Sequence, residues 1–459
     1  MTVAVVGGGV AGLAAAHRLM ERGVRDVVLL EAGARLGGTI ATERVRGFTI
    51  EGGPDSILSE KPAAVALCER LQVPVVGTRE GERRTYVVHR GRLHPLPDGF
   101  LLLAPTDWRA LAASPLFSWA GKLRMALDVV LPRRRSDADE SLASFVRRRL
   151  GREALARVAE PLVGGIYTGD AEQLSLAATM PRFRDLEARH RSIVLGLRAD
   201  SARAPRAAGA RYALFVAPAA GMDALVTALA RRLPEGAVRL RTPVAALAPD
   251  GGRWRIRTAE DTFAADAVIL ATPAHVAAPL VAPLDAELAR TLGEIPYVSS
   301  ATVTLAYRSA DVPKLLGFGF VVPAVERRAL LACTYASRKF PGRAPDGHEL
   351  LRAFVGGALH PDALAADDDT LVGHVRHELE ALLGVTAAPE LVRVARHRLA
   401  MPQYTIGHLD RVATIEARVA AFPGLAVAGA AYRGVGIPDC VRGGETAADA
   451  VADAAAQAR

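Results

Sequence analysis

The segment Val3-Ala4-Val5-Val6-Gly7-Gly8-Gly9-Val10-Ala11-Gly12-Leu13 leaves this chain few folds to choose from. Its short, wholly apolar start reads as a strand buried on both faces. Gly7, Gly9 and Gly12 then fit G-x-G-x-x-G, and Leu13 to Met20 continues at helical spacing. Gly7 permits the tight turn, Gly9 lets the backbone approach a pyrophosphate, and Gly12 lets helix and strand pack closely. Phosphates would sit at the helix amino terminus, where free N–H groups and the dipole favour negative charge. A second apolar run, Val27 to Leu30, ends in Glu31, about 20 residues past Gly12, where a ribose hydroxyl is read. An acid there argues against a 2′-phosphate. The spacing predicts a dinucleotide bound by a βαβ unit of an α/β fold.

The next residues choose the dinucleotide. AGARLGGTIATE carries Arg35 and the pair Gly37-Gly38, followed by Glu51-Gly52-Gly53-Pro54. A second glycine loop with an arginine suits a cofactor needing a further length of backbone, as an extended FAD does and NAD does not. In this RxGG loop the chain resembles the flavin amine oxidase superfamily. The far end of the chain agrees: Gly424 to Ala431 reads as a buried strand running into small residues, with Gly429 at its end. Gly434, Gly436, Ile437 and Gly443-Gly444 then open the last helix. The resemblance implies that this helix start lies beside the flavin ring and stabilises negative charge on the reduced ring. It also implies that backbone at Val244 meets the adenine. Without a recognisable cysteinyl-flavin context, the FAD is expected to be held non-covalently.

Composition narrows the class. The net charge of +8 comes from scattered arginines, so a nucleic-acid partner is not expected; the charge would equally suit a polyanionic small molecule or an anionic membrane face. Cys68, Cys333 and Cys440 lie far apart with no C-x-x-C pair, so neither a disulfide framework nor a metal site is expected, which fits a reducing cytoplasm. The apolar run at Val3 has no basic flank and leads into a glycine loop, so it does not read as a secretory leader. No run approaches the 18 apolar residues of a membrane span.

Both ends of the chain build one cofactor domain, which is therefore discontinuous: residues 1–62, 215–285 and 418–459. Residues 63–104, 173–214 and 286–417 read as a mixed α+β substrate domain, with strands around 298–308, 317–323, 329–335 and 349–356 and a helix near 369–384. Residues 105–172 read as a helical cap over the substrate site, with a membrane-facing helix pair as the alternative reading of its aromatics and arginines. Asp200 to Gly209, rich in Ala, Arg, Pro and Gly, reads as a mobile loop.

Four segments narrow the resemblance further: EPLVGGIYTGDAEQLSLAATMPRF (160–183), HRSIVLGL (190–197), MPQYTIGH (401–408) and AAYRGVGIPDCVRGG (430–444). Together they resemble the FAD-dependent porphyrinogen oxidases of haem biosynthesis. The resemblance implies a six-electron oxidation of a porphyrinogen in three flavin cycles, with O2 returning the flavin and leaving as H2O2. It implies that the Gly165 carbonyl approaches the macrocycle and that Val321 and Phe354 sandwich its rings. Hydride removal needs orientation and an apolar cavity more than a strong base, so no acid or base is assigned. Tyr404 and His408 read as pocket wall or core.

Two substrates differ by charge: coproporphyrinogen III has four propionates and protoporphyrinogen IX has two. The protoporphyrinogen branch carries an arginine immediately before an aromatic; here Thr85 precedes Tyr86 and Arg84 is the nearest arginine. That departure favours coproporphyrinogen III. Arg83, Arg84 and Arg182 are the candidate propionate partners. The resemblance also implies a downstream ferrochelatase, a cytoplasmic location with peripheral membrane contact left open, and allows a homodimer. Carotenoid desaturases and amine oxidases share the glycine framework but not GGIYTGD or MPQY. The non-catalytic binders of the GDP-dissociation-inhibitor type share the fold but have no use for a flavin.

Overall fold

The computed structural model describes residues 1–79, 84–101, 103–203 and 215–457. The chain folds as two compact units, Met1–Gly77 with Tyr212–Pro296 and Leu409–Arg459, and Thr78–Arg211 with Tyr297–His408.

The first unit is built on a parallel sheet. Its strands lie in the order Val238–Arg239, Asp26–Leu30, Thr2–Val6, Ala267–Leu270, Leu425–Val427. In chain order this is 3-2-1-4-5, the Rossmann order as far as its fifth strand, with its switch point at the carboxyl end of Thr2–Val6. The central strand is buried throughout from Val3 to Val6, as its apolar run requires. The first helix, Val10–Glu21, and the closing helix, Ile437–Gln457, pack on each other. They can approach because position 444 is a glycine: a Cβ there would lie 2.2 Å from the Ala11 carbonyl oxygen. An antiparallel sheet of Val244–Asp250, Arg253–Thr258 and Thr262–Ala265 is inserted before the fourth strand. Its middle strand alternates exposed Arg253, Arg255 and Arg257 with buried Trp254, Ile256 and Thr258.

The second unit holds a seven-stranded mixed sheet. Its order is Leu391–Pro402, Tyr297–Arg308, His348–Gly356, Ala332–Tyr335, Gly319–Val321, Thr85–His89, Arg92–Pro95. All neighbours are antiparallel except Gly319–Val321 with Thr85–His89. One face packs Val303, Val355, Cys333, Phe320 and Tyr86 against the helix Asp368–Leu383 through Leu371, Val375 and Leu379. Helices between Trp108 and Arg203 also belong to this unit. They are tied by a fully buried pair: Arg149 Nε donates to Asp128 Oδ1 at 2.6 Å, and the second Asp128 oxygen accepts from Ser192 Oγ and the Val194 N–H.

The unit borders differ from those read in the sequence. Residues 63–77 join the cofactor unit because the helix Ala63–Arg70 packs on the closing helix and Arg70 pairs with Glu445. Residues 286–296 join it because the helix Ala286–Gly293 packs on Ala274–Val281. Residues 409–417 follow, since Glu416 pairs with Arg433. Residues 105–172 are part of the second unit, whose helical run continues to Arg203. Asp200 to Arg203 close the helix Ile193–Arg203 instead of opening a loop. Residues 204–209 lie outside the described residues.

Candidate functional site

In the first unit three glycine segments converge. Gly7 holds φ +108°, and a Cβ there would meet the Ala271 carbonyl oxygen at 2.7 Å. Gly12 is tighter still, since its Cβ would lie 1.9 Å from the Gly7 oxygen. The second loop is fastened to the first: the Gly37 N–H donates to Gly8 O at 2.8 Å, and Gly38 sits over Gly9. Glu31 stands at the end of the second strand, where Oε2 accepts the Gly8 N–H at 2.7 Å and Oε1 accepts the Gly33 N–H at 2.6 Å. Arg35 folds its own loop, donating to the carbonyls of Leu36, Gly38 and Ile40. Val244 begins a strand two residues after Thr242, whose N–H donates to the Glu31 carbonyl. At the other end, Gly429 holds φ +123° with Gly443 beside it, and Gly436 precedes Ile437 at the start of the closing helix.

In the second unit the sheet presents an unlike pair of faces. Opposite the apolar core face, Val87, Val321, Ala332, Phe354 and Thr302 pair in register across five neighbouring strands. Directly paired residues share a face. Val321 and Phe354 therefore stand side by side two strands apart, about 10 Å, with the small Ala332 between them. Thr85 is on this face too, two residues from Val87. So is Arg352, buried, with its guanidinium 4.8 Å from the Phe354 ring.

GGIYTG lies at the end of an unbroken helix, Arg152–Ala154, Leu155–Ala159 and Glu160–Tyr167, whose middle segment is a π turn. Pro161 accounts for that turn: it has no N–H for the carbonyl four residues back, and its ring crowds the preceding turn. The helix stops at Thr168, which is left-handed at φ 48°. Of the last carbonyls, Gly164 O accepts the Thr168 N–H, Tyr167 O accepts Gln403 Nε2 and Thr168 O accepts the Ala358 N–H. Gly165 is exposed, and its carbonyl has no donor among the described residues. A Cβ at Gly164 or Gly165 would meet nothing within 4 Å. A narrow cleft with about 10 Å³ of free space opens here, lined by Glu160, Gly164, Thr168, Val322, Leu331 and Leu359, among others. Glu160 Oε2 accepts the Ala324 N–H at 3.0 Å, and burial, with a contribution from Asp170, pushes its carboxyl up to about 7.

The chain matches the family described as flavin containing amine oxidoreductase over residues 10–452. It is 34% identical to the coproporphyrinogen III oxidase of Bacillus subtilis, over 97% of this chain and 96% of that protein. It is 37% identical to the coproporphyrinogen III oxidase of Propionibacterium freudenreichii, over 98% and 90%, and 32% identical to human protoporphyrinogen oxidase, over 98% of each. The chain belongs to the flavin-containing amine oxidoreductase family, among its porphyrinogen oxidases. Solved structures agree: a proposed protoporphyrinogen oxidase from Exiguobacterium sp. 255-15 superposes with a TM-score of 0.88 at 33% identity, covering 98% of each chain. Cyclohexylamine oxidase from Brevibacterium oxydans, at 18% identity and a TM-score of 0.74, shares the fold.

The chain is an FAD-dependent oxidoreductase, and its residues fit that cofactor. The first helix has a glycine at its N-cap with no side-chain cap and no acid in its first turn, so its amino terminus is open to an anion. A Cβ at Gly9 or Gly429 would meet no protein atom within 4 Å, so both glycines border open space.

The candidate propionate arginines are dispersed. Arg84 is exposed, and its carbonyl accepts the Phe318 N–H at 3.0 Å. Arg182 is exposed and pairs with Asp200 on the next helix at 3.3 Å. Arg83 lies outside the described residues. Tyr404 and His408 are buried and stacked at 3.8 Å. Two residues were not read from the sequence. Arg352 could have been seen as a cation at an alternating position of an apolar strand. Glu160 carried no such signal, because the residues that desolvate it are distant in sequence.

Proposed function

We propose that the chain oxidises coproporphyrinogen III to coproporphyrin III, passing electrons through FAD to O2 and releasing H2O2. The observation that carries the substrate choice is Thr85 before Tyr86, on the same sheet face as Val321 and Phe354, where the two-propionate branch has an arginine. The curated relatives named above supply the substrate class. When bound, FAD supplies the two-electron acceptor and passes the electrons on. The chain supplies position. Val321 and Phe354 offer apolar surface to the ring system, and the open Gly164-Gly165 turn lets it approach the helix, with the Gly165 carbonyl as an acceptor for pyrrole N–H. Arg352, stacked on Phe354, adds positive potential for the propionates. In the first unit, Gly7, Gly9, Gly12, Glu31, Arg35, Gly37, Gly38, Val244, Gly429, Gly436 and Ile437 would hold the cofactor.

Oxygen electrode and peroxide assays on one sample test this reading: three O2 consumed and three H2O2 formed per coproporphyrin III. A ratio of one, or turnover without peroxide, would refute it.

A peripheral membrane contact forms part of the proposal. Trp119, Leu123 and Val130 are 74%, 67% and 64% exposed and follow one helical stripe with Leu127. Lys122, stacked on Trp119 at 4.4 Å, and Arg133 to Arg135 flank that stripe. Such a face suits an anionic bilayer. Among the described residues no helix is long and apolar enough to cross a membrane. Co-sedimentation with anionic vesicles, lost in Trp119→Ser/Leu123→Ser, is expected; equal sedimentation of both proteins would refute the contact. The ferrochelatase partner and a homodimer are further proposals carried by the family resemblance alone.

A further inference from the structure

Oxidation of a porphyrinogen has a proton half as well as a hydride half. Each two-electron step breaks a methylene C–H bond, whose electron pair leaves as hydride to the bound flavin. It also releases a proton, whose bonding pair stays behind in the new π system: over the three steps two protons leave pyrrole N–H groups and the third comes from the fourth methylene, which tautomerises. Something must take a proton in each of the three steps.

We propose that Glu160 is a catalytic residue of this chain, the carboxylate that accepts this proton; the proposal rests on the function argued above. Four observations meet at this side chain. It lines the cleft beside Gly164, Thr168, Val322 and Leu331. That cleft adjoins the candidate substrate surface at the helix end, where Gly164 lines it and precedes Gly165, while Val322 packs in the apolar core of the opposite sheet face. The free space inside it is about 10 Å³, close to that of one water. Second, Oε2 is fixed by the Ala324 N–H, while Oε1 has no donor among the described residues. Third, the π turn at Leu155–Ala159 immediately precedes Glu160, and such turns concentrate at functional sites.

The fourth observation is its electrostatic setting. No cation pairs with Glu160 among the described contacts. Burial raises its proton affinity, and Asp170 adds to that. The neighbouring charges are committed elsewhere. Arg157, one turn earlier, donates to Leu116 O and pairs with Glu153. Glu326, on the short turn that carries Ala324, accepts the Arg90 and Gly91 N–H groups and faces His89. A carboxyl near 7 matches a base that must load and unload once per cycle at neutral pH. The protonated acid returns its proton to solvent between steps, when the flavin's electrons go to O2.

The test is anaerobic stopped-flow reduction of the FAD-loaded enzyme by coproporphyrinogen III from pH 5.5 to 8.5. Wild type is expected to reduce faster as pH rises through about 7 and then level off. Glu160→Gln should be slower by about 10²-fold or more and lose that limb, while binding coproporphyrin III as wild type does. Asp170→Asn keeps the carboxylate and should move the limb to lower pH, which covers the case of a poorly folded Glu160→Gln. Infrared titration of the flavin-free protein reads the group directly: a protonated-carboxyl band should vanish near pH 7 and be missing in Glu160→Gln. A Glu160→Gln enzyme with wild-type rate and limb, an Asp170→Asn limb that does not move, or an infrared band absent from wild type would overturn the assignment alone. No flavin reduction in wild type would overturn the function reading and this assignment with it.

Discussion

Gly9 and Gly12 differ by three residues, yet alanine at each should fail in a different way. A Cβ at Gly9 meets no protein atom within 4 Å, and the residue holds φ −70°, which alanine adopts freely. Folding should therefore lose less than about 1 kcal/mol, the penalty of alanine for glycine at an N-cap. The methyl would instead occupy the space where a phosphate oxygen approaches the loop N–H groups. Losing one or two charge-assisted hydrogen bonds at about 1.5–3 kcal/mol each weakens FAD by roughly 3 kcal/mol, about 10²-fold in Kd. At Gly12 the Cβ would lie 1.9 Å from Gly7 O and 3.2 Å from Ala271 Cβ. The helix must then leave the strand, at about 3 kcal/mol or more of folding stability. Urea unfolding of the flavin-free proteins and flavin-fluorescence titration separate the two effects. A Gly9→Ala protein that binds FAD as tightly as wild type, or that unfolds like Gly12→Ala, would refute the reasoning.

Three further outcomes follow from other parts of the molecule. A carboxyl held above its ordinary value makes the folded state bind more protons than the unfolded one, so the contribution of Glu160 to stability is full below about 4.5 and is lost as pH rises through about 7. Glu160→Gln should match wild type in urea at pH 4.5 and exceed it by about 3 kcal/mol at pH 8; a constant difference across that range would contradict the buried-carboxylate account. Arg149→Leu strands the buried Asp128 charge and should cost about 3–5 kcal/mol in urea, with Asp128→Asn in the same chain restoring part of the loss; equal stabilities would mean the pair is not buried. Phe354→Ala should raise KM for the porphyrinogen about tenfold, roughly the 1.4 kcal/mol of a lost aromatic contact, with the flavin Kd unchanged; an unchanged KM would remove Phe354 from the substrate surface.

The cofactor half was legible because its chemistry is local. A strand, three glycines, a helix and an acid follow one another within 31 residues, and their structure is the one that spacing requires. The strands of the second unit were legible as apolar runs, though not their order. The row from Val87 through Val321 and Ala332 to Phe354 depends on register between strands far apart in sequence. Arg253–Thr258 showed its alternation openly and was passed over among scattered arginines. The unit borders differ where ion pairs such as Arg70 with Glu445 fasten a segment to a partner 375 residues away. Glu160 was unreadable for the same reason: the segment EPLVGGIYTGD shows a helix start, whereas the residues that wall its cleft are Val322, Leu331 and Leu359.

The central claim is the substrate, and initial rates of porphyrin fluorescence test it most directly. The enzyme, supplied with FAD, would be given coproporphyrinogen III and protoporphyrinogen IX side by side at low concentration. The account predicts at least a tenfold higher kcat/KM for the four-propionate substrate, about 1.4 kcal/mol of transition-state discrimination. Equal values, or a preference for protoporphyrinogen IX, would contradict it.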